Sequence, residues 1–172
     1  MSKHMVPVKA FFISGVGQHK DKLQAFDQAL LAAGPLVHNL VSVSSILPAG
    51  CEIISKEEGL ALLTPGEITF CVMARQDTNK PGEWASSAVG VLNERGTQEV
   101  GYLSEFHGTT EGNEKTAEEA KRLAEEMYLT KMGKSKESLD LDFHKATTAS
   151  IQHPGDEGWV CAVAFCIFIL PD

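Results

Sequence analysis

Two adjacent hydroxyls sit where an apolar stretch runs out into a turn, 41-VSVSSILPAG-50. Val41, Val43 and Ile46 are strand formers, and Pro48 with Gly50 punctuates the end. Ser44 and Ser45 could be no more than the polar end of a strand, but they also permit a definite reaction. Attack of the Ser45 hydroxyl on the Ser44 carbonyl exchanges the peptide bond for an ester. β-Elimination then releases the Ser44 carboxylate and leaves dehydroalanine at 45. Hydrolysis frees ammonia and leaves a pyruvoyl group capping the new chain. Serine at 45 can both attack and eliminate, and backbone strain at a tight turn would assist the attack. The resulting ketone amide is an electron sink. It forms a Schiff base with a substrate amine and accepts the electrons left by CO2, the task otherwise performed by pyridoxal phosphate.

Other chemical readings fail on spacing. Gly15-x-Gly17 lacks the third glycine of a dinucleotide-binding turn and reads as a pair of loop glycines. The six histidines form no H-E-x-x-H and stand at no zinc spacing from a cysteine, and Glu105 with His107 makes two donors, not a metal site. No G-x-S-x-G occurs. Cys51, Cys71, Cys161 and Cys166 show no C-x-x-C and read as reduced core or near-core thiols. The odd separation of Cys161 and Cys166 puts them on opposite faces of one strand.

The elements that must position the serine pair follow from period and punctuation. Residues 8–14 read as a strand and 15–22 as a polar loop. Residues 22–33 read as a helix on which Leu23, Phe26, Leu30 and Ala33 recur at helical spacing, with Asp21 as candidate N-cap. Gly34 suits a left-handed C′ position, and Pro35 blocks continuation. Asp27 borders the apolar face, where a carboxylate either turns to water or lines a pocket. Residues 39–46 read as the strand carrying the serines, with further strands at 52–54 and 67–75. Residues 84–93 and 98–107 read as a hairpin. In its second arm, Gly101, Leu103, Glu105 and His107 share one face; Val100, Tyr102, Ser104 and Phe106 share the other. Apolar residues on both faces predict that Glu105 is at least partly buried, which would raise its pKa.

A second helix is predicted over 114–132. Ala117, Ala120, Ala124, Met127 and either Tyr128 or Lys131 face inward, a Glu118–Arg122 pair faces outward, and Gly133 is the stop. Residues 140–152 and 158–170 read as closing strands. No repeat or linker divides residues 1–172, which read as a single domain, an α+β sandwich of two main helices over mostly antiparallel strands.

The chain has 172 residues, 43% of them hydrophobic and 22% charged. A chain of this length buries roughly 70% of its unfolded surface and needs no disulfide or metal staple. A net charge of −8 and a pI of about 5.2 argue against nucleic acid or an anionic membrane as partner, while an acidic surface draws in small cations. No apolar run approaches a membrane span and the N-terminus carries no cleavage signal, so a cytoplasmic protein is expected.

Three segments together carry a resemblance: 23-LQAFDQALLAAG-34, 39-NLVSVSSILP-48 and 101-GYLSEFHG-108. A helix reading L-x-A-F-D-x-A-L, then N-L-x-x-x-S-S-I-x-P, then a strand with G-x-x-x-E-x-x-G is the pattern of the pyruvoyl-dependent arginine decarboxylases. This chain resembles that family in order and separation. The likeness is dense over 23–48, moderate over 101–108 and looser elsewhere to about residue 170.

The resemblance implies self-cleavage into a β chain, 1–44, and an α chain, 45–172, with Ser45 converted to the pyruvoyl cofactor and no metal or pyridoxal phosphate. Asn39 matches the active-site asparagine, whose amide would hold a carbonyl or developing oxyanion near the scissile bond. Glu105 matches the glutamic acid that donates the proton replacing CO2. Asp27 matches the substrate aspartate, a partner for a guanidinium through two parallel charge-assisted hydrogen bonds. Leu23 and Leu30 would wall the aliphatic part of the substrate, and Ser44 would contribute its new carboxylate.

The implied reaction converts L-arginine to agmatine and CO2, for polyamine synthesis or acid resistance. The implied protomer is a four-layer αββα sandwich in a homotrimer or dimer of trimers, with active sites between subunits. Asp27 then need not share a protomer with Ser45. The bulkier 36-LVH-38 and the residues flanking Glu105, namely Ser104, Phe106 and His107, depart from the pattern and bear on substrate identity more than on reaction type. Two rival expectations are the same chemistry on another amino acid and an unprocessed, non-enzymatic oligomeric binding protein.

Overall fold

A computed structural model describes residues 5–34, 37–96 and 98–171. In chain order the elements are β1 (Lys9–His19), α1 (Lys22–Ala33), β2 (Asn39–Ser42), β3 (Ile46–Leu47), β4 (Glu52–Ile53), α2 (Lys56–Leu62), β5 (Ile68–Thr78), β6 (Trp84–Glu94), β7 (Gly101–Gly108), α3 (Asn113–Met132), β8 (Leu141–Gln152) and β9 (Trp159–Ile169). The strands form a five-stranded sheet, β2-β5-β9-β1-β4, and a four-stranded sheet, β3-β7-β6-β8. β1 with β4 and β2 with β5 run parallel; the other pairings are antiparallel. α1 covers the outer face of the first sheet and α3 that of the second, giving the expected α+β sandwich of four layers, αββα.

β9 lies at the centre because it is apolar on both faces: Val160 to Phe168 are all buried. Cys161, Val163, Phe165 and Ile167 pack under α1, whereas Ala164, Cys166 and Phe168 meet Val89, Val91 and Leu103 of the second sheet. The two cysteines therefore stand on opposite faces, as their separation predicts. All four cysteines are free thiols. Burial pushes Cys51 and Cys71 up to about 11 and Cys161 to about 12, so none is a nucleophile near neutral pH.

The predicted loop over 15–22 is instead strand as far as His19. A Cβ on Gly15 would stand 2.4 Å from Ala33 N, and one on Gly17 would stand 2.2 Å from the Ala25 oxygen. The glycine pair lets the α1 backbone lie directly on β1. The contact row is accordingly Ala25, Ala29 and Ala33, with Phe26 and Leu30 partly buried at its side. Leu23, expected on the apolar face, is 67% exposed. Gly34 is extended (φ 168°) and not left-handed, although its N–H still bonds to the Leu30 carbonyl. Pro35 and Leu36 lie outside the described residues.

The inner row of α3 is Thr116, Ala120, Ala124 and Tyr128; Met127 is exposed. Gly90 and Ser104 set this rotation. A Cβ on Gly90 would stand 2.4 Å from the Ala120 oxygen, and Ser104 Oγ donates to that oxygen at 2.6 Å. Arg122 pairs with Glu119 and Glu126 and not with Glu118. Gly133 ends the helix in the left-handed conformation as expected. α2 was not anticipated. Its signal was present in 55-SKEE-58, where Ser55 accepts the Glu58 N–H as an N-cap. Among the described residues, no helix is long and apolar enough to cross a membrane.

Candidate active site

The strand predicted over 39–46 is two strands in two different sheets. β2 pairs with β5 from Asn39 opposite Ile68 to Ser42 opposite Cys71, and the Val43 N–H extends this pairing to the Cys71 carbonyl. Ile46 and Leu47 then pair with Tyr102 and Gly101 of β7 in the other sheet. Ser44 and Ser45 form the bridge between the sheets. Leu40 packs under the helical layer, while Val43 and Leu47 pack between the sheets, so the chain must turn here.

The turn is tight. The Ile46 N–H donates to the Ser44 carbonyl at 3.0 Å, closing a three-residue turn centred on Ser45. No non-glycine residue among those described has a positive φ, so the turn is of the inverse γ type. The Leu103 N–H of β7 donates to the Ser45 carbonyl at 2.9 Å. Ser45 Oγ donates to the Glu105 carboxylate, also at 2.9 Å. Strand alternation delivers that contact: Leu103 faces the inter-sheet core, and Glu105, two residues on, shares its face. The structure therefore brings together Ser44, Ser45 and Glu105, which are 60 residues apart in chain between the last two.

Glu105 is exposed, where its neighbours predicted at least partial burial. β3 covers only Gly101 and Tyr102, so the outer edge of β7 beyond Leu103 is open in the single chain. Asn39 begins β2, the strand that leads into the turn. Its Nδ2 donates to the Gly66 carbonyl at 2.8 Å and its backbone N–H to Glu67 at 2.8 Å, so its hydrogen bonds anchor β2 to the loop before β5.

Asp27 is exposed on α1 in the outer helical layer, and no hydrogen bond or ion pair among the described residues involves it. Its neighbour Phe26 is covered by the Arg75 guanidinium at 3.9 Å, which Asp77 holds through two hydrogen bonds. No hydrogen bond or ion pair among the described residues links Asp27 to the serine turn, Leu23 is exposed, and Leu30 is partly occupied in the core. No group of three or more metal-ligating side chains occurs among the described residues, His107 included. The donors that sequence reasoning missed are the backbone N–H groups of Ile46 and Leu103, which no residue type announces.

The chain is thus a four-layer α+β sandwich whose sheets are joined by a Ser–Ser turn set against a glutamate. A family model described as pyruvoyl-dependent arginine decarboxylase matches residues 9–171. The chain is 42% identical over 170 residues to a protein of Methanosarcina acetivorans named pyruvoyl-dependent arginine decarboxylase 1, covering 99% of this chain and 100% of that one. It is 49% identical over 128 residues to a probable pyruvoyl-dependent arginine decarboxylase of Chlorobium limicola, covering 74% of this chain and 71% of the relative. The chain belongs to the pyruvoyl-dependent arginine decarboxylase family.

Proposed function

We propose that this chain cleaves itself between Ser44 and Ser45 and then, in the cytoplasm, decarboxylates L-arginine to agmatine and CO2. The observation that carries the reading is the hydrogen bond from Ser45 Oγ to Glu105 at 2.9 Å, in a member of this family. Glu105 takes the hydroxyl proton as Oγ bonds to the Ser44 carbonyl carbon, and the proton passes to the Ser45 nitrogen as the C–N bond breaks. Loss of the Ser45 Cα proton with cleavage of the Cβ–Oγ bond frees the Ser44 carboxylate. Water then adds and ammonia leaves. The products are 1–44 and a pyruvoyl-headed 45–172.

The residues present suit that group. The Leu103 N–H already holds the Ser45 carbonyl, which stays the amide oxygen beside the new ketone, and Glu105 lies against the side chain that becomes the methyl. A pyruvoyl group at this position would supply an electron sink for a substrate amine that loses CO2. Glu105 holds the proton that goes to the carbon losing CO2. Asp27 receives the guanidinium, with Leu23 against the aliphatic stem.

Because Asp27 lies in the outer helical layer and Ser45 at the edge joining the sheets, Asp27 of one copy serves Ser45 of another. Val41, Ile46 and Ile68, exposed around the β2–β5 edge beside the turn, supply apolar surface for a homotrimer or dimer of trimers. A neighbouring copy there would also cover Glu105. Intact mass spectrometry under denaturing conditions tests the reading. Two chains are expected, the larger one lighter by one ammonia than a serine-headed 45–172. A single uncut chain in active preparations would overturn it.

A further inference from the structure

We propose that the backbone N–H of Ile46 is the oxyanion donor of the self-cleavage; this rests on the reading that the Ser44–Ser45 bond is the one that breaks. Asn39 is the residue that the family pattern offers for the task, yet its Nδ2 donates to the Gly66 carbonyl and no hydrogen bond joins it to the Ser44 carbonyl. The Ser44 carbonyl has another donor in place, the Ile46 N–H at 3.0 Å.

When Ser45 Oγ bonds to the Ser44 carbon, the carbonyl π pair moves onto the oxygen and the Oγ proton moves to Glu105. The developing negative oxygen is the atom that Ile46 already contacts. A donor whose bond strengthens as charge develops lowers the barrier, whereas one that binds both states equally does not. The donor is held from both sides. The Leu103 N–H fixes the Ser45 carbonyl at 2.9 Å, and Ile46 and Leu47 are registered on Tyr102 and Gly101 of β7. The γ-turn thus presents attacking hydroxyl, base and oxyanion donor around one peptide bond.

The test replaces Ile46 by its α-hydroxy acid, which exchanges the N–H for oxygen and keeps the side chain. The hydroxy-acid chain and a parent chain with isoleucine delivered at the same suppressor codon are made by cell-free synthesis, and splitting is followed by intact mass. The hydroxy-acid chain should split about 10²–10³-fold more slowly than the parent. A hydroxy-acid chain that splits at the parent's rate overturns the proposal. Since this variant could misfold, the hydrogen bond is also read in the uncleavable Ser45→Ala chain by amide exchange. Protection at Ile46 of roughly tenfold or more over an open peptide is expected; exchange at the open rate overturns the proposal. A parent chain that never splits sinks the self-cleavage itself, and this inference with it, and so is told apart from a failure of Ile46 alone.

Discussion

Glu105→Gln separates the chemistry of the turn from its architecture. Glutamine keeps the side-chain length and an oxygen that accepts the Ser45 hydroxyl bond, now 2.9 Å from Glu105. It removes the basic site proposed to take the proton. A positioned general base contributes about 10²–10⁴-fold, or roughly 3–5 kcal/mol of barrier, so maturation should slow by that factor. The cost in stability is small. Glu105 is exposed and its partner is a surface hydroxyl, a setting in which exchange changes stability by about 0.5 kcal/mol or less, or about 2 °C in Tm for a chain of this size. Fresh chains are followed by denaturing electrophoresis and intact mass, with Tm measured on the same samples. Glu105→Asp, which withdraws the carboxylate by one methylene, should fall between parent and glutamine. Maturation of Glu105→Gln at the parent's rate, with Tm unchanged, would refute the role of Glu105 as base.

Asp27→Ala should leave cleavage untouched and raise KM for arginine by roughly 10- to 150-fold, the loss of a charge-assisted pair; steady-state kinetics with an unchanged KM would remove Asp27 from the substrate site. Gly17→Ala forces a methyl into the Ala25 carbonyl and should destabilise the fold by about 1–3 kcal/mol, read in denaturant melts. The buried Glu94 carboxylate accepts from Lys134, the Tyr128 hydroxyl and the Asp140 N–H, and these partners, Lys134 foremost, hold its pKa below 4.5. Its folded pKa is depressed, so its stabilisation is complete above about pH 4.5 and is lost as pH falls from there through the folded value. Glu94→Gln should lower Tm at pH 7 and flatten its decline in acid; parallel Tm–pH curves for parent and variant would refute the linkage.

Side-chain period and residue type made much of this protein legible. The unbroken apolar run of β9 specified a strand buried on both faces, and Gly133 specified a helix stop. The spacing of Asp27, Asn39, Ser44, Ser45 and Glu105 carried the family. Period reports which face of an element is apolar, not which strand takes its hydrogen bonds or whether its edge is covered. Residues 39–46 therefore read as one strand, although their two ends pair with different sheets. Glu105 read as at least partly buried because the shortness of β3 is a property of the pairing and not of its neighbours. Gly15 and Gly17 read as loop residues because the close approach of α1 exists only once helix and sheet are packed.

The sequence by itself determined which atoms could react: a hydroxyl beside a carbonyl at 44–45, and a carboxyl at 105 to move the proton. The tertiary structure alone decided that these atoms meet. It folded the serine pair into the bridge between two sheets, with backbone N–H groups of Ile46 and Leu103 on its carbonyls. Every non-proline residue carries the same N–H, so only the path of the chain can say which ones face the Ser44 and Ser45 carbonyls.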